Sequence, residues 1–191
     1  SRSSFDINDS AEITIETNPG DLSISYASSL KRIGINRLSL GTQSLDDSLL
    51  QVIGRRHSAK GARSAYDAAR AAGFDNINSD FMYGLPFQNM YQWNETLRGM
   101  IDMSPEHISL YCLTLEDGTP LKKNVDAGYI PEPDADLAAD MYLVADKSLK
   151  EAGYIQYEIS NWCRPGRESQ HNLNYWHNNR YLGVGPGAHS F

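Results

Sequence analysis

Runs with strand character alternate with runs of helix character along the first 115 residues, and that alternation restricts the fold more than any other property of the chain. AEITIET (Ala11 to Thr17) is β-branched with a period of two and ends at Asn18-Pro19-Gly20. A helix is predicted over Leu22 to Ile33, stopped by Gly34, then a strand over NRLSLG (Asn36 to Gly41). A short helix follows over Asp46 to Ile53, stopped by Gly54. Ser58 has the chemistry of an N-cap for a helix over Ala59 to Ala72, with Gly73 as its C-terminal stop. Its inner face, Ala62, Ala65, Tyr66, Ala69 and Ala72, is mostly small, which allows close approach to a sheet. INSDFMYG (Ile77 to Gly84) is the next strand, Met90 to Met103 the next helix, and HISLYCLTL (His107 to Leu115) a fourth strand. Such alternation calls for parallel pairing with right-handed crossovers, so the class is α/β, as a barrel or a doubly wound sheet. A complete (βα) barrel takes ~250 residues. With 191 residues, the chain has room for part of one.

Beyond the fourth strand the pattern changes. GYIPEPDAD is a Pro-rich linker, and an amphipathic helix follows with Leu137, Met141, Val144, Ala145, Leu149 and Ala152 on one stripe. Asp134 and Asp136 sit near its start, Lys147 and Lys150 near its end, and Gly153 closes it, which matches the helix dipole at both termini. YIQYEIS reads as one more strand, and from Asn161 onward the chain reads as loop, dense in polar and aromatic groups. The expected division is therefore a partial barrel over residues 1–130 and an extension over 131–191 of helix, strand and aromatic-rich loop. An incomplete barrel leaves a strand edge open, which invites pairing with a second chain such as another copy of itself. The ending GVGPGAHSF carries no polar tail and is expected to be internal to a longer protein, and the first four residues are compatible with a cloning scar.

Charge narrows the classes of partner. The net charge is −7, with pI ≈ 5.1, which disfavours a generic nucleic-acid binder because backbone phosphates need a basic face. No apolar run has the length of a membrane span and the start lacks the apolar segment of a signal peptide. The two cysteines, Cys112 and Cys163, form neither a CxxC nor a cluster-type spacing, so a reducing cytoplasm is the expected location.

Three residues stand at the ends of strand-like runs or in the loops beyond them: Gln43, Arg55 and Asp80. Strand C-termini of a parallel sheet face the ligand crevice. Asp80 and Gln43 can hydrogen-bond a diol, and the planar fork of Arg55 can clamp a carboxylate. A molecule with a ribose and an amino-acid carboxylate suits that set, S-adenosylmethionine being one. Each residue also has a plainer use: Asp80 as a loop cap, and Arg55 or its neighbour Arg56 as a solvated charge. Among the histidines, His57 reads as a cap for the helix beginning at Ser58 and His107 as structural. Cys112 reads as core, Cys163 as a buried thiol or a thiolate ligand, and Gly185 to Gly187 as a turn.

The stretches IETNPG, NRLSLGTQS, IGRRH, NSDFMYGLP, PEHISLYCLTLEDGTP, YEISNW and HNLNYW, in that order, resemble the radical S-adenosylmethionine proteins of the oxygen-independent coproporphyrinogen III oxidase family. The similarity runs from about Glu12 to Ser190 and favours the HemW-like haem-chaperone branch, whose signature HNxxYW is matched by HNLNYW. The resemblance implies a partial radical SAM (βα) barrel with parallel strands. It implies S-adenosylmethionine contacts at Glu16 (amino group), Gln43 and Asp80 (ribose) and Arg55 (carboxylate), although Glu16 is equally suited to satisfying the turn that follows it. It also implies His171 as a ligand to haem iron, with Tyr175 and Trp176 flanking the porphyrin. A His-Asn pair in a polar loop serves as often as a hydrogen-bonded scaffold, and His177 and His189 are alternative ligands. The family's CxxxCxxC loop, which holds a 4Fe–4S cluster, is absent from the sequence and is expected upstream.

Two functions follow from the resemblance. One is a haem chaperone that passes haem to an acceptor protein, membrane-associated acceptors included. The alternative is an oxidase that decarboxylates the propionate side chains of coproporphyrinogen III by radical chemistry. Without the cluster ligands this stretch of chain is not expected to be catalytic by itself.

Overall fold

A computed structural model describes residues 7–191, so the first four residues lie outside the described part. One six-stranded sheet organises the chain, in the order β1-β2-β3-β4-β6-β5. The strands are β1 (Thr14–Thr17), β2 (Arg37–Gln43), β3 (Ile77–Tyr83), β4 (His107–Cys112), β5 (Ile155–Gln156) and β6 (Asn161–Cys163). The helices are α1 (Ile24–Arg32), α2 (Asp47–Val52), α3 (Ala59–Ala71), α4 (Met90–Met103), α5 (Pro120–Asp126), α6 (Ala135–Glu151) and α7 (Gln170–Trp176).

β1 to β4 pair in parallel, as the alternation predicts, with β1 at one edge of the sheet. Of the two added strands β6 runs the other way: it is antiparallel to β4 and to β5. The expected strand YIQYEIS keeps only Ile155–Gln156 as strand and then bends, and β6 lies beyond it, in the stretch from Asn161 expected as loop. HNLNYW, expected as loop, is helix α7, capped by the Ser169 hydroxyl, which accepts from Asn172 N–H. α5, unread in the sequence, is started by Thr119 and Pro120. Among the described residues no helix is long and apolar enough to cross a membrane.

Helix ends follow local chemistry. The Ser58 side chain accepts from Gly61 N–H at the start of α3, and Asn89 and Gln92 form a reciprocal capping box on α4. α1, α3, α4 and α6 cover one face of the sheet. Leu38, Leu40 and Ile77 pack on α1 and α3 through Ala27, Leu30, Ala65, Tyr66 and Ala69. Phe81, Ile108, Leu110 and Trp162 pack on α4 and α6 through Trp93, Leu97, Met141, Ala145 and Leu149. Cys163 is buried, but Cys112, expected in the core, is exposed at the last residue of β4, where the helical layer no longer covers the strand.

Candidate functional site

The opposite face of the sheet is polar. Successive side chains on a strand alternate between faces. Thr14 and Glu16, Arg37 and Ser39, Asn78 and Asp80, and Ser109 and Tyr111 therefore leave the helix-packed side and line the concave one, together with Gln43. Buried parallel strands are ordinarily apolar on both faces. Here polar groups surround a cavity of about 390 Å³, closed at its floor by Ser169, His171 and Asn172 of the α7 segment. A polar lumen of that size suits a hydrogen-bonding ligand better than packed side chains.

Gln43 reaches this lumen through distorted backbone. The ladder between β2 and β3 shifts register between Leu40 and Gln43, and Gln43 has φ 63°. Ser44 N–H donates to Thr42 O at 2.8 Å, closing a tight turn around it. A left-handed non-glycine residue costs about 1–3 kcal/mol and persists at sites where the side chain is needed. Gly41 lacks the Cβ that would stand 3.2 Å from Gln43 Nε2, so the amide can lie across the backbone there. Both Gln43→Gly and Gln43→Ala remove the side chain, but only glycine relieves the turn. The glycine variant is expected to be more stable than the alanine variant by about 1 kcal/mol, read as the difference in urea unfolding midpoints. Equal midpoints would mean the turn stores no strain.

Asp80 is held by two donors: Asn78 Nδ2 to its Oδ1 at 2.7 Å and Ser39 Oγ to its Oδ2 at 3.1 Å. Burial raises its pKa above the usual carboxylate value, against the lowering effect of those bonds, and the Glu16 carboxylate adds to the rise. Asn78 also ties Asp80 to the floor. His107 Nδ1 lies 2.7 Å from Asn78 Oδ1, and His107 Nε2 lies 2.7 Å from the Tyr157 hydroxyl. Ser109 Oγ donates to the same Asn78 oxygen at 3.1 Å. Tyr157 in turn accepts from Asn172 Nδ2 at 3.2 Å and Ser169 N–H at 3.4 Å. An amide oxygen only accepts, so the ring proton sits on Nδ1 and the Tyr157 O–H donates to Nε2. Burial, with the Arg37 cation second, pushes the His107 pKa down to about 3, so the ring is neutral. A continuous, largely buried chain of hydrogen bonds therefore connects Asp80 to Asn172 in the HNLNYW helix. The predicted structural role of His107 fits this arrangement.

The sequence-predicted residues divide into two places. Glu16, Gln43, Asp80 and His171 all border the lumen, Glu16 from the open side of the edge strand. Arg55 borders neighbouring cavities instead. One, of about 350 Å³, includes Asn18, Gly20, Asp21 and His57. The other, of about 580 Å³, lies between the ends of β3 and β4 and α5. The Arg55 segment is anchored beside the lumen because His57 Nε2 donates to Thr42 O at 3.0 Å, one residue before Gln43. That bond replaces the predicted capping role of His57, which Ser58 fills. Tyr175 and Trp176 stand exposed on α7, and the Tyr175 ring meets the His171 ring edge-on at 4.7 Å between centroids. Among the described residues no group of three His, Cys, Asp or Glu side chains is arranged to hold a metal ion. Arg37, Ser39, Asn78, Ser109 and Tyr157 were not singled out in the sequence. The signal for the strand members is the polar alternation in RLSL, INSD and HISLY.

The chain as a whole is similar to known proteins. Residues 5–99 match the Radical SAM superfamily model. Over 94% of its length the chain is 45% identical to the bovine radical S-adenosyl methionine domain-containing protein 1, mitochondrial, covering 40% of that protein. It is 39% identical over 96% of its length to the heme chaperone HemW of Bacillus subtilis, covering 48% of that protein. The chain thus spans about half the length of the curated relatives it matches. The solved coproporphyrinogen III oxidase HemN of Escherichia coli superposes with a TM-score of 0.83 at 22% identity, over 99% of this chain and 46% of that one. That likeness establishes the fold.

Proposed function

The chain belongs to the radical S-adenosylmethionine superfamily, and from that premise we propose that it forms the ligand-binding part of a haem chaperone. The observation that supports this most is the sharing of one lumen by Glu16, Gln43 and Asp80 on the strands and His171 on α7. In this reading the strand residues hold S-adenosylmethionine: Asp80 and Gln43 accept from or donate to the ribose hydroxyls, and Glu16 pairs with the ammonium. Arg55, tethered next to Gln43 through His57, takes the carboxylate where the ligand leaves the lumen. A 4Fe–4S cluster, held by residues outside this chain, would supply the electron that radical SAM chemistry requires.

α7 presents haem in the same reading. His171 is the iron ligand and Tyr175 and Trp176 offer aromatic faces to the porphyrin. The proposed recipient is a haem-requiring protein, and the relatives named as haem chaperones support that direction over porphyrinogen oxidation. The test is a haem titration of the full-length protein followed by Soret absorbance. His171→Ala is expected to weaken binding by at least about tenfold, the loss of one metal–imidazole bond. Equal affinity in wild type and variant removes His171 from the site. Decarboxylation of coproporphyrinogen III by the full-length protein would assign it to the oxidase class instead.

A further inference from the structure

Arg37 has no part in the reading above, yet it is the cation among the described residues that line the lumen. It is 5% exposed, at the first residue of β2, and borders the cavity on the side closed by α7. Its ion pair with Glu12 is long. Nε has no hydrogen-bond partner and lies 3.9 Å from Glu12 Oε2, and Nη1 reaches Thr14 Oγ1 only at 3.5 Å. His107, facing it from β4, is neutral and offers no compensation. A buried guanidinium with donors to spare is costly unless an anion completes its surroundings.

We propose that Arg37 is a carboxylate-binding residue at the floor of the lumen, and that it takes a propionate arm of the porphyrin seated on α7. The approach is set by two cavities that share Thr14 and His171. One is the lumen and the other, of about 490 Å³, opens between Glu12, Gln170 and Asn174 beside α7. A group lying on the exposed face of α7 can extend a short flexible arm past His171 to the guanidinium. Glu12, Glu16 and Asp80 all stand near the guanidinium, so a ligand with one negative charge is repelled less than a dianion such as phosphate. A planar fork pairs with a carboxylate through two parallel hydrogen bonds, which a lysine cannot reproduce.

The inference rests on the porphyrin reading of α7, and its test avoids the iron. The full-length protein is titrated with metal-free protoporphyrin IX and with its dimethyl ester, followed by porphyrin fluorescence. Wild type is expected to bind the free acid about tenfold more tightly than the ester, the weight of one charge-assisted pair. Arg37→Gln should erase that preference by weakening the acid and leaving the ester unchanged, Arg37→Lys should keep part of it, and His171→Ala should keep it whole. Lack of acid–ester preference in wild type, whether both probes bind or neither does, overturns the proposal without relying on any variant. Full preference in Arg37→Gln overturns it equally. A missing Soret response to haem with the acid preference intact would count against His171 and leave Arg37 in place.

Discussion

Replacing His107 with glutamine is expected to flatten the loss of stability that the chain suffers in mild acid. The imidazole is fully buried, both its nitrogens are engaged, and its pKa is about 3. In the unfolded chain a histidine takes up its proton near pH 6.5. Between those two values the unfolded state binds more protons than the folded one, so stability falls as pH is lowered. The full contribution is present above about pH 6.5, and the limiting slope is about 1.4 kcal/mol per pH unit. Asp80 acts in the opposite sense: its raised pKa means the folded state protonates first, which adds stability as pH falls through that value. Subtracting the His107→Gln curve from that of wild type isolates the histidine, because Asp80 is common to both. From pH 6.5 to pH 5, wild type should lose about 1.5 kcal/mol more than the variant in urea unfolding. At neutral pH the variant should be the less stable, since Asn78 Oδ1 and the Tyr157 hydroxyl lose partners set at 2.7 Å. Parallel curves across that range would show that His107 is charged in the fold or exposed there, and would break the proposed path from Asp80 to α7.

The parts of this site differ in how much the sequence discloses. α3 and α4 are legible to within a residue or so because their signals are local: Ser58 and Asn89 cap, Gly73 stops, and the apolar spacing is helical. The parallel order of β1 to β4 follows from the intervening helices. The reversal at β6 does not, because its partner is β4, some 50 residues earlier, and YIQYEIS carries no mark of the bend before Asn161. α7 lacks an apolar stripe and buries none of its residues, so its helicity rests on the Ser169 cap and on contacts with Glu12, 158 residues away. The polar lumen was available in the alternation of RLSL and INSD, where Leu, Ile and Ser turn one way and Arg, Ser, Asn and Asp the other. Arg37 stays hidden because an arginine opening a strand looks like a solvated charge until the strand is found at the floor of a cavity.

Asp80→Asn should move stability and ligand binding in opposite directions. The carboxylate stands among buried polar groups with its charge opposed by burial and by Glu16. Asparagine keeps the shape and the contacts: its oxygen can accept from Asn78 Nδ2, and its amide can donate to Ser39 Oγ, which serves equally as acceptor. The variant sheds the cost of a desolvated charge and leaves only the Ser39 hydroxyl proton without its acceptor, so its urea midpoint at pH 7 should rise, by about 1 kcal/mol in stability. Asp80→Ala, by contrast, strips an acceptor from both donors and should lose about 1–2 kcal/mol. Both substitutions should weaken S-adenosylmethionine binding to the full-length protein by about one to two decades, measured by calorimetry, because a ribose diol gains most from a charged acceptor. Opposite stability effects with a shared loss of affinity would separate a residue kept for its ligand from one kept for the fold. Unchanged affinity in both variants would take Asp80 out of the binding site, and a lower midpoint for the asparagine variant would make its charge a support of the sheet.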